Sequence, residues 1–143
     1  MLTAADNAAL TQVGPGTPLG KFFRRYWIPA AKSEEIREPG GAPVRVRLLG
    51  ENLVAFRDPT GKPGLMDEFC PHRRASLYYG RNEEGGLRCL YHGWKMGHTG
   101  EILETPAEPK TSKLAANLCH TAYPVHEAGS ILWTYMGPRE LQP

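Results

Sequence analysis

Two pairs of cysteine and histidine are the residues of this chain best suited to bind a metal. One residue separates Cys70 from His72, two residues separate Cys89 from His92, and sixteen residues lie between the pairs. Each pair offers one soft thiolate and one imidazole. This mixture suits a two-iron, two-sulfur cluster in which one iron takes both cysteines and the other takes both histidines. Because such a cluster accepts and passes on single electrons, the pattern predicts an electron-transfer protein.

A structural zinc site is the alternative use of two cysteines and two histidines. Zinc sites usually draw both cysteines from one short turn and both histidines from another. Here the two types are mixed within each pair, and the spacing of Cys70 and His72 is tighter than in the usual zinc knuckle. A purely structural role does not account for a pair that recurs in two loops flanked by Gly and Pro. The spacing therefore favours the iron–sulfur cluster and leaves zinc as the alternative.

Length and composition indicate one globular domain. The chain has 143 residues, 41% apolar and 22% charged, so it can build a core without disulfide bonds. Its net charge of +2 argues neither for nor against a nucleic-acid partner, and the sequence has no basic run with interleaved aromatics that would indicate one. The sequence shows no signal peptide and no stretch of the roughly 18 apolar residues that span a bilayer. Since Cys119 has no partner, we expect a reducing, cytoplasmic location.

Short strands dominate the chain after residue 43. The alternation of apolar and polar residues over 44–48 predicts a half-buried strand, and Gly- and Pro-rich turns separate it from further strands. The predicted strands are 44–48, 53–57, 65–69, 87–90, 94–96, 101–103, 122–127 and 130–136. Many short strands with regular turns predict a mainly β fold, an antiparallel sandwich or barrel.

Two capping signals predict short helices before the strands. Thr3 precedes Asp6 by three residues, which suits a capped helix start, and Thr17 precedes Pro18, which suits the first helical position. We expect the aromatic segment 24–29 to pin this region onto the rest of the protein. The chain thus divides into an N-terminal helical and extended segment, 1–38, and a domain, 39–143.

Several stretches resemble the Rieske [2Fe–2S] domain of the aromatic ring-hydroxylating oxygenase alpha subunits. They are CPHRRASL at 70–77, CLYHGWK at 89–95 and LWTYMGP at 132–138. The opening GPGTPLG at 14–20 and RRYWIPA at 24–30 are similar to the phthalate 4,5-dioxygenase-like branch. The resemblance covers nearly the whole chain. It implies a Rieske-type antiparallel fold with a small cluster-binding subdomain around the ligand loops 70–77 and 89–95.

The resemblance also implies the ligand set and its use. Cys70 and Cys89 would bind the inner iron as thiolates, and His72 and His92 would bind the outer iron, which changes valence. Histidine ligands carry less negative charge than thiolates, so such a cluster takes up an electron more readily than an all-cysteine cluster. Arg73 and its neighbour Arg74 are candidates to support the charge of the cluster, or are ordinary surface arginines.

In the resembled family the electrons come from a flavin- or ferredoxin-type reductase and pass to a mononuclear non-haem iron, held by two histidines and a carboxylate. The remaining histidines do not offer that triad: His98 is expected in a turn, and His120 and His126 on surface or sheet faces. We therefore expect the C-terminal catalytic domain to be absent from this chain. The chain alone would be one part of an NAD(P)H-dependent oxygenase, which is trimeric in relatives. A stand-alone Rieske ferredoxin is the alternative.

Three positions bear on the reduction potential. Respiratory-chain Rieske proteins, another class, have a disulfide over the cluster and a serine that donates to a cluster sulfur. This chain has Ala75, Tyr91 and Trp94 at the corresponding positions. Fewer donors stabilise the reduced cluster less. The comparison implies a potential toward the low end of the Rieske range, which suits reduction by a nicotinamide-linked reductase.

Overall fold

The computed structural model describes residues 1–143 as three antiparallel sheets and a few short helices. The α-helices are α1 (Ala4–Thr11), α2 (Pro18–Phe23) and α3 (Leu114–Asn117). The strands are β1 (Trp27–Lys32), β2 (Val44–Leu48), β3 (Glu51–Arg57), β4 (Pro63–Asp67), β5 (Arg81–Glu83), β6 (Gly86–Arg88), β7 (Lys95–Gly97), β8 (Ile102–Glu104), β9 (Ala122–Tyr123), β10 (Val125–Ala128) and β11 (Ile131–Tyr135). Single 3₁₀ turns cover Ser33–Ile36, Leu77–Tyr79 and Arg139–Leu141. The predicted mainly β, antiparallel architecture is confirmed.

Strand order shows how the fold places the two candidate ligand loops. The first sheet has the order β1-β11-β10, the second β2-β3-β4-β9 and the third β5-β6-β7-β8. The first ligand loop leaves β4 in the second sheet, and the second loop joins β6 to β7 in the third. The small third sheet and the end of β4 therefore form the base of the candidate site.

The N-terminal helices begin where the capping signals predict. In α1, Thr3 Oγ1 accepts from Asp6 N at 3.1 Å, and the Asp6 carboxylate accepts from Thr3 N at 3.3 Å. In α2, Thr17 Oγ1 accepts from Gly20 N at 3.1 Å. The segment after α2 is not merely an aromatic anchor: β1 pairs along its length with β11. The boundary between segments 1–38 and 39–143 stays a prediction. None of the helices has the length and hydropathy needed to cross a bilayer.

Strand β3 is shared between two hydrophobic cores. Leu53 and Ala55 face the core between the first and second sheets, whereas Val54 and Phe56 face the core next to the third sheet. All four side chains are fully buried. The side-chain period of two in a strand explains the division, since successive residues point to opposite faces. The core beside the third sheet also contains both candidate cysteine ligands.

A buried carboxylate joins three turns of the fold. Asp58, directly after β3, is 1% exposed and accepts hydrogen bonds from Thr60 N and Oγ1 at 2.9 and 2.6 Å and from Lys62 N at 3.0 Å. It also accepts from Gly85 N at 3.1 Å and pairs with His98 Nε2 at 3.0 Å. Burial alone would raise the pKa of the Asp58 carboxyl, but these hydrogen bonds outweigh burial and hold the pKa well below its usual range. The second and third sheets are thereby tied together.

The remaining histidines differ in their surroundings. His98 lies in the β7–β8 turn, as expected, but its side chain is largely buried against Asp58. His126 lies on an exposed part of β10. His120 is only 5% exposed, so the expectation of a surface or sheet-face histidine is wrong for this residue. Its Nε2 donates to Asp67 O at 2.9 Å, because a carbonyl can only accept, and burial lowers the pKa of its imidazole.

The buried imidazole of His120 predicts a loss of stability at mildly acidic pH. In the unfolded chain this side chain takes up a proton near pH 6.5, whereas the folded protein keeps it neutral to a lower pH. The free energy of unfolding should therefore fall as the pH drops below about 6.5, by at most about 1.4 kcal/mol per pH unit. Urea unfolding at pH 7.5 and 5.5 measures this dependence. It should be weaker in His120→Gln and unchanged in His126→Gln; an equal dependence in all three proteins would contradict it.

Candidate metal centre

The first ligand loop is closed by its own backbone. Cys70 N donates to Ala75 O at 2.9 Å, and Arg74 N donates to Cys70 O at 2.9 Å. Arg74 has a φ of +59°, a left-handed conformation that side chains other than glycine adopt rarely. Phe69 and Ser76 form an isolated β-bridge just outside this loop. The chain thus reverses within six residues and holds Cys70 at the entry of the turn.

The second loop repeats this backbone scheme. Cys89 N donates to Trp94 O at 2.8 Å, and Gly93 N donates to Cys89 O at 3.1 Å. The residue four positions after the cysteine again has a positive φ, here +74° at Gly93. A Cβ at that glycine would lie 3.3 Å from Pro106 Cγ, so both conformation and space favour glycine. The two cysteines therefore occupy equivalent positions in two similar turns.

The two cysteines lie together in the interior. Cys70 is 2% and Cys89 3% exposed, and both are free thiols that belong to one hydrophobic core. Burial, assisted by the neighbouring Cys89 thiol, raises the pKa of Cys70 to about 11. A bound metal cation reverses this preference, since a coordinating thiol is deprotonated. The buried pair is therefore suited to bind a metal as thiolates rather than to act as reactive thiols at the surface.

The two histidines form a second pair. The ring centroids of His72 and His92 are 4.6 Å apart, and both residues are half-buried. His72 stacks on the fully buried Trp94, with centroids 4.7 Å apart and an angle of 3° between the planes. Its Nδ1 and the Trp94 Nε1 are buried atoms without a hydrogen-bond partner. Since buried polar atoms normally have partners, these orphaned nitrogens indicate a position that a bound group completes.

The donor set fits a group with two metal ions. The structure places the four predicted ligands as two pairs, one of deeply buried cysteines and one of half-buried histidines. No group of three or more His, Cys, Asp or Glu side chains surrounds one point. Two soft donors inside and two imidazoles nearer the surface are the arrangement that an unevenly ligated [2Fe–2S] cluster requires.

Two charged residues behind the loops were not singled out from the sequence. Glu68 is buried and accepts hydrogen bonds from Ser76 Oγ at 2.6 Å and Arg45 Nε at 2.8 Å, which brace the end of the first loop. Burial raises the pKa of Glu68, but these hydrogen bonds outweigh it and lower the pKa below its usual value. Arg88 likewise supports the second loop, because its guanidinium donates a hydrogen bond to Gly93 O. The sequence signal available was a charged residue shortly before each ligand cysteine, two positions before Cys70 and one before Cys89.

The arginines that the sequence did single out lie on the surface. Arg73 and Arg74 are both exposed. The Arg74 guanidinium lies over the Phe69 ring at 4.9 Å and 3.7 Å from the Asp67 carboxylate. These contacts support the outer side of the first loop and leave both charges in solvent.

Comparisons with known proteins agree with this geometry. Residues 26–129 match the family model of the Rieske [2Fe–2S] domain. The whole chain is 52% identical to a third of the phthalate 4,5-dioxygenase oxygenase subunit of Pseudomonas putida, over 143 residues. A crystal structure of dicamba monooxygenase bound to dicamba matches with a TM-score of 0.74 at 29% identity, covering 86% of this chain and 35% of the other. The oxygenase in a ferredoxin complex of carbazole 1,9a-dioxygenase matches with a TM-score of 0.68 at 29% identity, covering 80% and 29%.

These matches extend over nearly the full sequence, but the chain spans only about a third of the length of the curated relatives it matches. A Rieske domain binds a [2Fe–2S] cluster, and the paired, largely buried donors described above fit that cofactor. The chain therefore belongs to the Rieske [2Fe–2S] domain family and is homologous to the Rieske domain of ring-hydroxylating oxygenase alpha subunits.

Proposed function

We propose that this domain relays electrons from a reductase to a mononuclear iron site outside these 143 residues, within a ring-hydroxylating oxygenase of the phthalate dioxygenase type. The observation that carries the proposal is the juxtaposition of a buried cysteine pair and a half-buried histidine pair. The [2Fe–2S] cluster, when bound, supplies a one-electron carrier. Relatives over the whole chain are oxygenase subunits, which supports this function over a stand-alone ferredoxin.

We assign the cluster ligands by their chemistry. Cys70 and Cys89 would hold one iron, because their thiols are buried and close to each other. His72 and His92 would hold the other iron, and the orphaned Nδ1 of His72 is the atom available for it. Trp94 shields this side of the site from water by stacking on the His72 ring.

The histidine side of the site offers a surface for partners. Leu90 and Tyr91 precede His92 and are 62% and 63% exposed, although both are large and apolar or aromatic. An exposed apolar surface beside the half-buried ligand gives an electron donor or acceptor a place to approach closely. The similar oxygenase of carbazole 1,9a-dioxygenase was solved in complex with a ferredoxin, which supports a ferredoxin-type donor; a flavin-type reductase is the other donor that we propose.

The whole oxygenase, by this proposal, acts on an aromatic compound and draws electrons from NAD(P)H through the reductase. The names of the relatives, which include phthalate and 3-chlorobenzoate dioxygenases, support an aromatic substrate. The full-length protein would assemble as a homo-oligomer, a trimer in the resembled family. The three free cysteines fit the reducing conditions of the cytoplasm.

Anaerobic reconstitution with iron and sulfide tests the proposal. The chain should become red-brown, hold two iron and two sulfide ions, and give the EPR signal of a reduced Rieske centre. A redox titration should place the potential toward the low end of the Rieske range, at about −150 mV. NADH and a phthalate dioxygenase-type reductase should then bleach the visible absorption. A pale protein without labile sulfide would overturn the function, whereas a strongly positive potential would contradict the assignment to a nicotinamide-linked chain.

A further inference from the structure

Arg88 is an enclosed guanidinium at the base of the second ligand loop. It is the last residue of β6, directly before Cys89, and its side chain is 13% exposed. Nε donates to both carboxylate oxygens of Glu83 at 2.8 and 3.0 Å, and Nη2 donates to Glu104 at 2.8 Å. Nη1 donates to Gly93 O at 2.8 Å. The planar fork of an arginine can satisfy three such partners at once, which a lysine cannot do.

The bond to Gly93 acts on the arm of the loop that carries His92. The backbone bonds between Cys89 and residues 93 and 94 close the base of the loop but leave residues 90–92 unbonded. The Arg88–Gly93 bond is the one hydrogen bond from a side chain to the backbone of residues 89–94. It therefore holds the Gly93–Trp94 peptide, which begins one residue after His92, and so restrains the arm of the loop that carries the imidazole.

The charge of Arg88 also balances two carboxylates close to the loop. Glu83 and Glu104 both pair with Arg88, and Lys95 Nζ is 3.8 and 3.9 Å from them. A third cation, Arg81, lies 3.4 Å from Glu83, but its side chain is 65% exposed. Without the Arg88 guanidinium, the cluster of charged side chains next to Cys89 would have one positive charge fewer, at a position that is poorly solvated. Added negative character opposes uptake of an electron by a nearby centre.

We propose that Arg88 is a positioning residue of the centre: it fixes the His92 arm of the second loop and raises the reduction potential of the bound cluster. The inference rests on the proposed function, because it takes His92 as a ligand. It assigns to Arg88 the supporting part that the sequence suggested for the exposed Arg73 and Arg74.

Two substitutions separate position from charge. Arg88→Lys keeps the positive charge but cannot bond Gly93 O and both carboxylates together, so the cluster should be lost to a chelator about tenfold or more faster, at a nearly unchanged potential. Arg88→Met removes both contributions, so the faster loss should be joined by a lower potential and altered EPR g-values. Arg81→Met is the matched control: it removes an arginine that shares Glu83 and pairs with Arg88 across β5 and β6, but has no bond to the loop.

The outcomes distinguish this inference from the function on which it rests. Reconstituted wild-type chain with a normal cluster, and both Arg88 variants with wild-type loss rates, g-values and potential, would overturn the inference alone. If Arg88→Met does not fold, Arg88→Lys decides the positioning claim. Glu104→Gln decides the charge claim, since removal of a carboxylate should raise the potential and an unchanged or lower value would overturn it. A wild-type chain that cannot hold a cluster would overturn both the function and the inference.

Discussion

Replacement of Cys70 with Ser is expected to abolish cluster assembly and leave a colourless protein. Cys70 is 2% exposed at the entry of the first loop, where Cys89 is its neighbouring thiol. A serine hydroxyl fills almost the same space but does not supply the soft thiolate that holds cluster iron. Since the bonds that close the loop, from Cys70 N to Ala75 O and from Arg74 N to Cys70 O, join backbone to backbone, the fold should survive while the iron and labile sulfide contents fall to near zero.

Cys119→Ser is the control for this experiment. Cys119 is the third free cysteine, but it is exposed and outside the core that contains the other two. Its replacement should leave iron content, sulfide content and visible absorption unchanged. If Cys70→Ser retained full iron and sulfide after the same reconstitution, Cys70 would not be a ligand.

The second large effect is expected from Asp58→Ala. This carboxylate is buried and accepts five hydrogen bonds from three turns, including the bond from the largely buried His98. Removal of one member of a buried, hydrogen-bonded pair leaves the partners unsatisfied and typically costs about 3–5 kcal/mol. Domains of this size are stable by about 5–15 kcal/mol, so the variant should lose a large share of its free energy of unfolding.

Urea unfolding, followed by far-UV circular dichroism, measures this loss. Glu84→Ala is a suitable control because Glu84 is exposed and precedes Gly85 in the same turn that donates to Asp58. The control should change the free energy of unfolding by no more than about 0.5 kcal/mol. A loss below about 1 kcal/mol for Asp58→Ala would show that the three turns hold together without this carboxylate.

The sequence predicted strands well where the side-chain pattern was local. Alternation over 44–48 coincides with β2, and the capping signals at Thr3 and Thr17 mark the starts of α1 and α2. β1 was missed because Pro29 argues against a strand. Proline is tolerated there because β1 pairs only with β11 at the edge of its sheet, with a register shift just after Pro29. β4 begins two residues earlier than predicted, with Pro63 as its first residue.

The candidate ligands were visible in the sequence because their chemistry lies in short spacings. The family match also decides between the alternatives, since a Rieske domain binds a [2Fe–2S] cluster rather than zinc. The supporting roles of Glu68 and Arg88 were not predicted, in part because each has one partner that is distant in sequence. Glu68 bonds Arg45, 23 residues earlier, and Arg88 bonds Glu104, 16 residues later. Local pattern carries no information about such pairings, whereas the topology of the sheets creates them.

The double burial of β3 has a consequence for any attempt to isolate the electron carrier. Neighbouring side chains of this one strand, such as Val54 and Ala55, complete different cores, and only one of those cores holds the cysteines. A minimal fragment that kept the ligand loops and the third sheet would also need β3 to complete its core. In that fragment the opposite face of β3, with Leu53 and Ala55, would be exposed to water. The cluster-binding part of the molecule therefore cannot be separated from the rest without exposing a buried apolar face of β3.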